Sequence, residues 1–356
     1  MSAGLATDNE WADRQESMSA TDFEAMLARG VSFVSEPGTA FEYSNLGYAI
    51  LGRLVERVTG HSYVNLVRTR LLEPLGLHAT DFVVPSGATN HATGFVRCHG
   101  DWEPLTQPGP GAFSAIGGIH STANDLARWG SWLCAAFDPA LNDSEGILSK
   151  ASRREMQQIH RHITGRVPVT GYGYGLFISH DEHHGQVVSH SGGYPGFSSH
   201  MRWQTSSGVL AIGLENATYA AVHAPVAEAF EAALAHTPTA SASAKPWPQT
   251  LAARAAVESL LRQWDGRIVS RWFTENVAQD KDWDTRRAEL DALLQLTGAL
   301  EFAAGRVEET TPAGISWVLP GERGTLRCSI LMHPLVEPLI QRLNLELVQE
   351  RPTDDG

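Results

Sequence analysis

The chain has 356 residues, 42% apolar and 8% aromatic, enough to bury one or two sizeable cores and too apolar to remain disordered. Its 27 basic and 40 acidic residues leave a net charge of −13 without any dense basic cluster, which argues against nucleic acid as a partner. No apolar run reaches the length of a membrane span, and the start has neither the basic residues nor the apolar stretch of a signal peptide. A cytoplasmic location is the default reading. Cys98, Cys134 and Cys328 are few, odd in number and far apart, so free buried thiols are expected instead of a disulfide framework.

In chain order, Ser19 with Asp22 caps a short helix to Ala28. Pro37-Gly38 then makes a turn, and Tyr43-Ser44-Asn45 stands at the mouth of a helix with apolar residues at Leu46, Ile50, Leu51, Leu54, Val55 and Val58. Gly60 ends that helix and Ser62 caps the next, which Pro74 stops. Ser44 and Asn45 are also ordinary capping residues, so this stretch alone does not define a site. Residues 83–118 read as a loop-dominated cover over one side of a cleft. Thr122 and Asp125 open a helix carrying Leu126, Trp129, Leu133 and Phe137.

Residues 172–216 alternate as strands of an antiparallel sheet, with Ser189-His190-Ser191-Gly192-Gly193 following the strand-like Gln186-Val187-Val188. An alanine-rich helix opens near Pro225 and runs to His236. Thr237 to Pro248 has the composition of a linker. Beyond it, two helices at about 249–264 and 284–297, and strands at 314–319, 325–332 and 338–348, outline a second small α+β domain with no catalytic motif.

Several ordered motifs carry a resemblance. Tyr43-Ser44-Asn45 and His190-Ser191-Gly192, together with Pro74-Leu75-Gly76-Leu77, Gly117-Gly118-Ile119-His120-Ser121-Thr122, Tyr172-Gly173-Tyr174-Gly175 and Gly193-Tyr194-Pro195-Gly196-Phe197, resemble the class C β-lactamase-like and penicillin-binding-protein-like serine hydrolases, including their esterases and D-aminopeptidases. The resemblance covers roughly residues 1–236. It implies an α+β, β-lactamase/transpeptidase-like domain over 1–240, an antiparallel sheet flanked by helices, with the accessory domain at 248–356. It also implies hydrolysis of an ester, amide, peptide or β-lactam through an acyl-serine, with no cofactor and no metal. Tyr43, Asn45 and His190 would be catalytic, and Ser191, Gly192 and Gly193 would contact the substrate.

The nucleophile motif Ser-x-x-Lys is absent. The three lysines, Lys150, Lys245 and Lys281, are preceded three residues earlier by Ile147, Ala242 and Ala278. Met1-Ser2-Ala3-Gly4-Leu5 looks like the tail of a segment that follows the nucleophile in the family. The chain therefore reads either as starting inside the domain or as having lost its nucleophile, and secretion stays open. The rival reading is a non-catalytic binding protein that keeps the pocket. His180-Asp181-Glu182-His183-His184 matches no zinc spacing and reads as a hairpin tip. Two Gly-x-Ser stretches, at Gly60 and Gly314, lack the closing glycine of an α/β-hydrolase elbow.

Overall fold

The computed structural model describes residues 1–85, 87–138, 140–141, 147–181, 184–237 and 245–348. It divides into two compact units, Met1–Thr239 and Ala240–Gly356. Most of the expected linker lies outside the described residues.

The first unit begins with α1 (Asn9–Ala12), α2 (Ala20–Ala28), α3 (Asn45–Thr59) and α4 (Tyr63–Val67). Ser19, Ser44 and Ser62 each cap the helix that follows by accepting a backbone N–H, and Gly60 ends α3 in the left-handed conformation at φ 72°. The expected apolar stripe of α3 is only partly buried. Leu51, Leu54 and Val58 are exposed, while Asn45, Ala49 and Gly52 face inward. The reason is close approach: a Cβ on Gly52 would lie 2.6 Å from that of Ala115, so small residues set the packing face. Ala12, Phe23, Ala49 and Phe113 form the core of this region, with Phe23 edge-on to Phe113 at 5.3 Å.

A hairpin of β1 (Gly94–Cys98) and β2 (Asp101–Leu105) precedes α5 (Ala123–Cys134) and α6 (Lys150–Met156). Then come β3 (Arg161–His162), β4 (Val169–Tyr172), β5 (Phe177–Asp181), β6 (Gly185–Tyr194), β7 (Phe197–Gln204) and β8 (Leu210–Glu215), closed by α7 (His223–His236). The six strands pair antiparallel in sequence order. Strand alternation sends Trp203 toward Leu133 of α5 and Arg202 toward Phe230 of α7, so the sheet is covered on both faces. β6 pairs with β5 only from Gly185 to Ser189 but with β7 as far as Tyr194. Among the described residues, its stretch from His190 to Tyr194 therefore has an unpaired edge.

The second unit contains α8 (Pro248–Arg262), α9 (Gly266–Trp272), α10 (Glu275–Asp280), α11 (Trp283–Thr297), and a four-stranded antiparallel sheet of β9 (Arg306–Thr310), β10 (Gly314–Pro320), β11 (Thr325–Met332) and β12 (Ile340–Val348). Leu326, Cys328, Ile330 and Met332 alternate inward from β11 onto Val257, Leu260 and Trp317. β9 escapes sequence reading because it is a mostly exposed edge strand whose Arg306, Glu308 and Glu309 give no apolar alternation. All three cysteines are free, but only Cys328 is buried; Cys98 and Cys134 are half-buried.

One buried polar link ties the sheet of the first unit to α5 and α6. Gln157 is fully buried, accepts the Trp203 indole N–H at 2.9 Å, and donates to the carbonyls of Leu133 and Arg153 at 3.0 and 2.9 Å. Replacing Gln157 with Leu strands these groups in an apolar interior at a cost of about 2–3 kcal/mol. The expected result is a lower urea midpoint with an unchanged denaturant slope; an unshifted midpoint would show that the link contributes nothing.

Candidate active site

The N-terminus of α3 is held by a residue far back in the chain. The Asp8 carboxylate accepts the backbone N–H groups of Asn45 and Leu46 at 2.7 and 2.8 Å and the Ser44 hydroxyl at 3.3 Å. These amides are the unsatisfied donors of a helix start, and a carboxylate there also meets the positive end of the helix dipole. Asn45 is buried and its side-chain amide donates to Asn9 Oδ1 at 2.9 Å. Asp8 and Asn9 carry no motif signature, and sequence reading passed over both.

Tyr43 joins an aromatic cluster that spans the two motifs. Its ring is 6.3 Å from that of His190, 6.3 Å from and parallel to Phe177, and edge-on to Tyr172 at 6.1 Å. The Tyr172 hydroxyl lies 3.0 Å from His190 Nε2, and His190 Nδ1 lies 2.7 Å from the Ser191 carbonyl. A carbonyl can only accept, so Nδ1 carries the proton of the neutral ring and Nε2 accepts from Tyr172. Burial holds the imidazole below its ordinary pKa, against the opposing pull of the Ser191 carbonyl. Burial also pushes the Tyr43 phenol up to about 12, helped by Tyr48, Asp13 and Asp8, and raises Tyr172 further still.

Ser191, Gly192 and Gly193 lie exposed on the unpaired edge of β6. Ser191 points to the other face of the sheet, where its hydroxyl meets His200 Nδ1 at 2.7 Å. His200 is driven down to about 4, by burial first and then by Arg202, His223 and His190. A Cβ on Gly192 would sit 2.4 Å from Ser199 Oγ, and one on Gly193 2.7 Å from the Tyr219 ring. At Gly193 the Tyr219 ring leaves no room for a side chain, whereas at Gly192 only the Ser199 hydroxyl would have to turn aside; both leave the edge bare. Of the histidine-rich tip, Glu182 and His183 lie outside the described residues. Among the described residues no group of three or more His, Cys, Asp or Glu side chains gathers as a metal site.

Sequence reading also missed an acidic pair beside this edge. Tyr219, which packs on Gly193, donates to Asp13 at 2.6 Å, and Ser114 donates to buried Glu16 at 3.0 Å. Gly118, at φ 75°, leaves room for the Glu16 carboxyl, whose Oε1 would otherwise lie 2.5 Å from a Cβ. Burial raises Glu16 to about 7, and the nearby charge of Asp13 adds to it.

The Beta-lactamase family matches residues 1–236. "Penicillin-binding protein 4*" of Bacillus subtilis is 28% identical over 191 residues, which cover 50% of this chain and 40% of that protein. The chain thus spans well under two thirds of the length of this relative. A solved structure described as the octameric penicillin-binding protein homologue from Pyrococcus abyssi superposes with a TM-score of 0.55 at 19% identity, covering 97% of this chain and 76% of that one. A class C beta-lactamase superposes with a TM-score of 0.53 at 17% identity, over 65% of this chain and 67% of that one. These likenesses show the β-lactamase/transpeptidase-like α+β fold.

The raised pKa of Glu16 makes stability depend on pH. Its folded value of about 7 exceeds the ordinary 4.5, so the folded state holds the proton more tightly; stability is full below 4.5 and falls as pH rises through 7. Glu16→Gln stays neutral and keeps an acceptor for Ser114. It is expected to be more stable than the parent at pH ~8 and no more stable at pH ~4, by urea unfolding at each pH. Equal stability at both would mean the carboxyl is not desolvated.

Proposed function

The chain belongs to the beta-lactamase family, and we propose that Tyr43, Asn45 and His190 form one wall of an acyl-transfer site for a small ester, amide, peptide or β-lactam. The observation that carries this reading is the Tyr43–Tyr172–His190 cluster beside the bare edge of β6. An extended substrate can pair along that edge as an added strand, with its acyl oxygen toward the N–H groups near Gly192 and Gly193. Asn45, pinned by Asp8 and Asn9, supplies an amide for the substrate's own amide.

Acyl transfer needs a serine to attack the carbonyl, a base to take its proton, and a donor to protonate the leaving group. The phenol of Tyr43 is protonated up to about 12, so at neutral pH it donates and does not accept. With no cation among the described residues lowering its pKa, Tyr43 fits the donor role. No serine of this chain stands in a Ser-x-x-Lys motif. Ser191 meets a histidine, yet His200, lowered to about 4, is a weak base for a hydroxyl. Both facts also favour a second reading, a ligand-binding protein that uses the same cleft without turnover.

The 356-residue chain is accordingly expected neither to hydrolyse a chromogenic cephalosporin nor to label with a fluorophosphonate. Stoichiometric labelling at Ser191 would instead make Ser191 and His200 the reacting pair. In calorimetric titration with an N-acyl-D-alanine amide, Tyr43→Ala and His190→Ala should each weaken binding about tenfold, the loss of one contact of roughly 1.4 kcal/mol. Unchanged affinity in both variants would overturn the placement of the site.

A further inference from the structure

The second unit contains a cavity of about 290 Å³ between α8, α11 and β12, in the size range of small-molecule sites. Its deep wall is apolar: Leu260 and Leu290 are almost wholly buried, and Leu343 closes it from the sheet. Trp264 and Trp283 stand at its side, ring centres 6.2 Å apart. Unlike Trp317, which is fully buried, both are half-buried, and the same two indoles also line a wider hollow of about 620 Å³. They therefore present aromatic surface to open space on the cavity side as well as to the core.

The charges at the mouth are unequal in their commitments. Lys281 is held by both oxygens of Glu289, at 2.6 and 2.8 Å. Glu346 lies opposite Arg327 in the β11–β12 register, although the Arg327 guanidinium itself is engaged by Glu308. Arg286 donates Nε to the carbonyls of Val277 and Lys281, at 3.1 and 2.9 Å, and has no carboxylate partner among the described residues. Its remaining guanidinium N–H groups form the fork that binds a carboxylate with two parallel hydrogen bonds.

We propose that this cavity binds a small monocarboxylic acid with an aromatic or branched aliphatic body, its carboxylate on Arg286 and its body against Trp264, Trp283 and the leucine wall. The volume suits a one-ring acid. The site is independent of the acyl-transfer reading of the first unit.

The test is calorimetric titration of the whole chain with phenylpropionate and with phenylpropanol, which has the same body without the charge. The acid should bind at least about tenfold more tightly than the alcohol, a difference of roughly 1.4 kcal/mol. Arg286→Met should bring the acid down to the affinity of the alcohol and leave the alcohol unchanged, and Arg286→Lys should keep most of the preference. Leu290→Trp fills the cavity and should abolish binding of both. Should that variant fail to fold by circular dichroism, Leu343→Trp at a half-buried position serves instead. Absence of binding by either probe, equal affinity for the two, or an unaffected Arg286→Met protein would overturn the proposal. A concentration-dependent dimer that Leu343→Trp dissociates would also overturn it, because a second copy would then occupy the hollow.

Discussion

The site region of the first unit depends on one carboxylate. Asp8 takes the two amide protons that open α3 and the Ser44 hydroxyl, joining the start of the chain to a helix 37 positions later. A helix start has donors that must be met, and burial of Ser44 and Asn45 keeps water from meeting them. Tyr43 is the residue just outside this cap, and its ring packs on Phe177, Tyr172 and His190. With Asn45 also tied to Asn9, the Ser-Asn part of the triplet is held through both backbone and side chain.

Across from that cap, the sheet contributes by what it leaves unpaired. β5 ends its pairing at Ser189, and β6 continues five residues further with only β7 beside it. Exposed edges are ordinarily blunted, and this one is short and glycine-containing, features that suit a strand-like ligand better than another sheet. The groups around it are weakly ionised. Tyr43 and Tyr172 are held protonated, His190 is held neutral, and Glu16 is pushed toward its neutral form. Burial is the first cause in each case, and opposite charges that would reverse it are few. A lysine ammonium beside Tyr43 would reverse the shift on the phenol, and this chain supplies none there in its motif position.

The second unit follows a different logic. Its helices cover one face of a four-stranded sheet with a continuous apolar core from Val257 to Ile340, but the packing stops short beneath Trp264 and Trp283. There a hollow opens beside two indoles and the Arg286 guanidinium, which meets no carboxylate among the described residues.

Much of the architecture was legible in the residues. Capping serines, Gly60 and the period of α5 predicted helix positions closely because these signals are local, set by neighbours within one turn. The Tyr-x-Asn and His-x-Gly motifs identified the family because they are short and fixed in order. Other features required the folded chain. That α3 buries Ala49 and Gly52 rather than Leu51 and Leu54 depends on how closely Ala115 approaches, a distance no periodicity encodes. The roles of Asp8, Asn9, Asp13 and Glu16 arise only where segments tens of residues apart meet, and an isolated aspartate or glutamate looks the same whether solvated or buried. The open edge of β6 is likewise a matter of register, since only pairing with β5 and β7 determines which strand groups are left free.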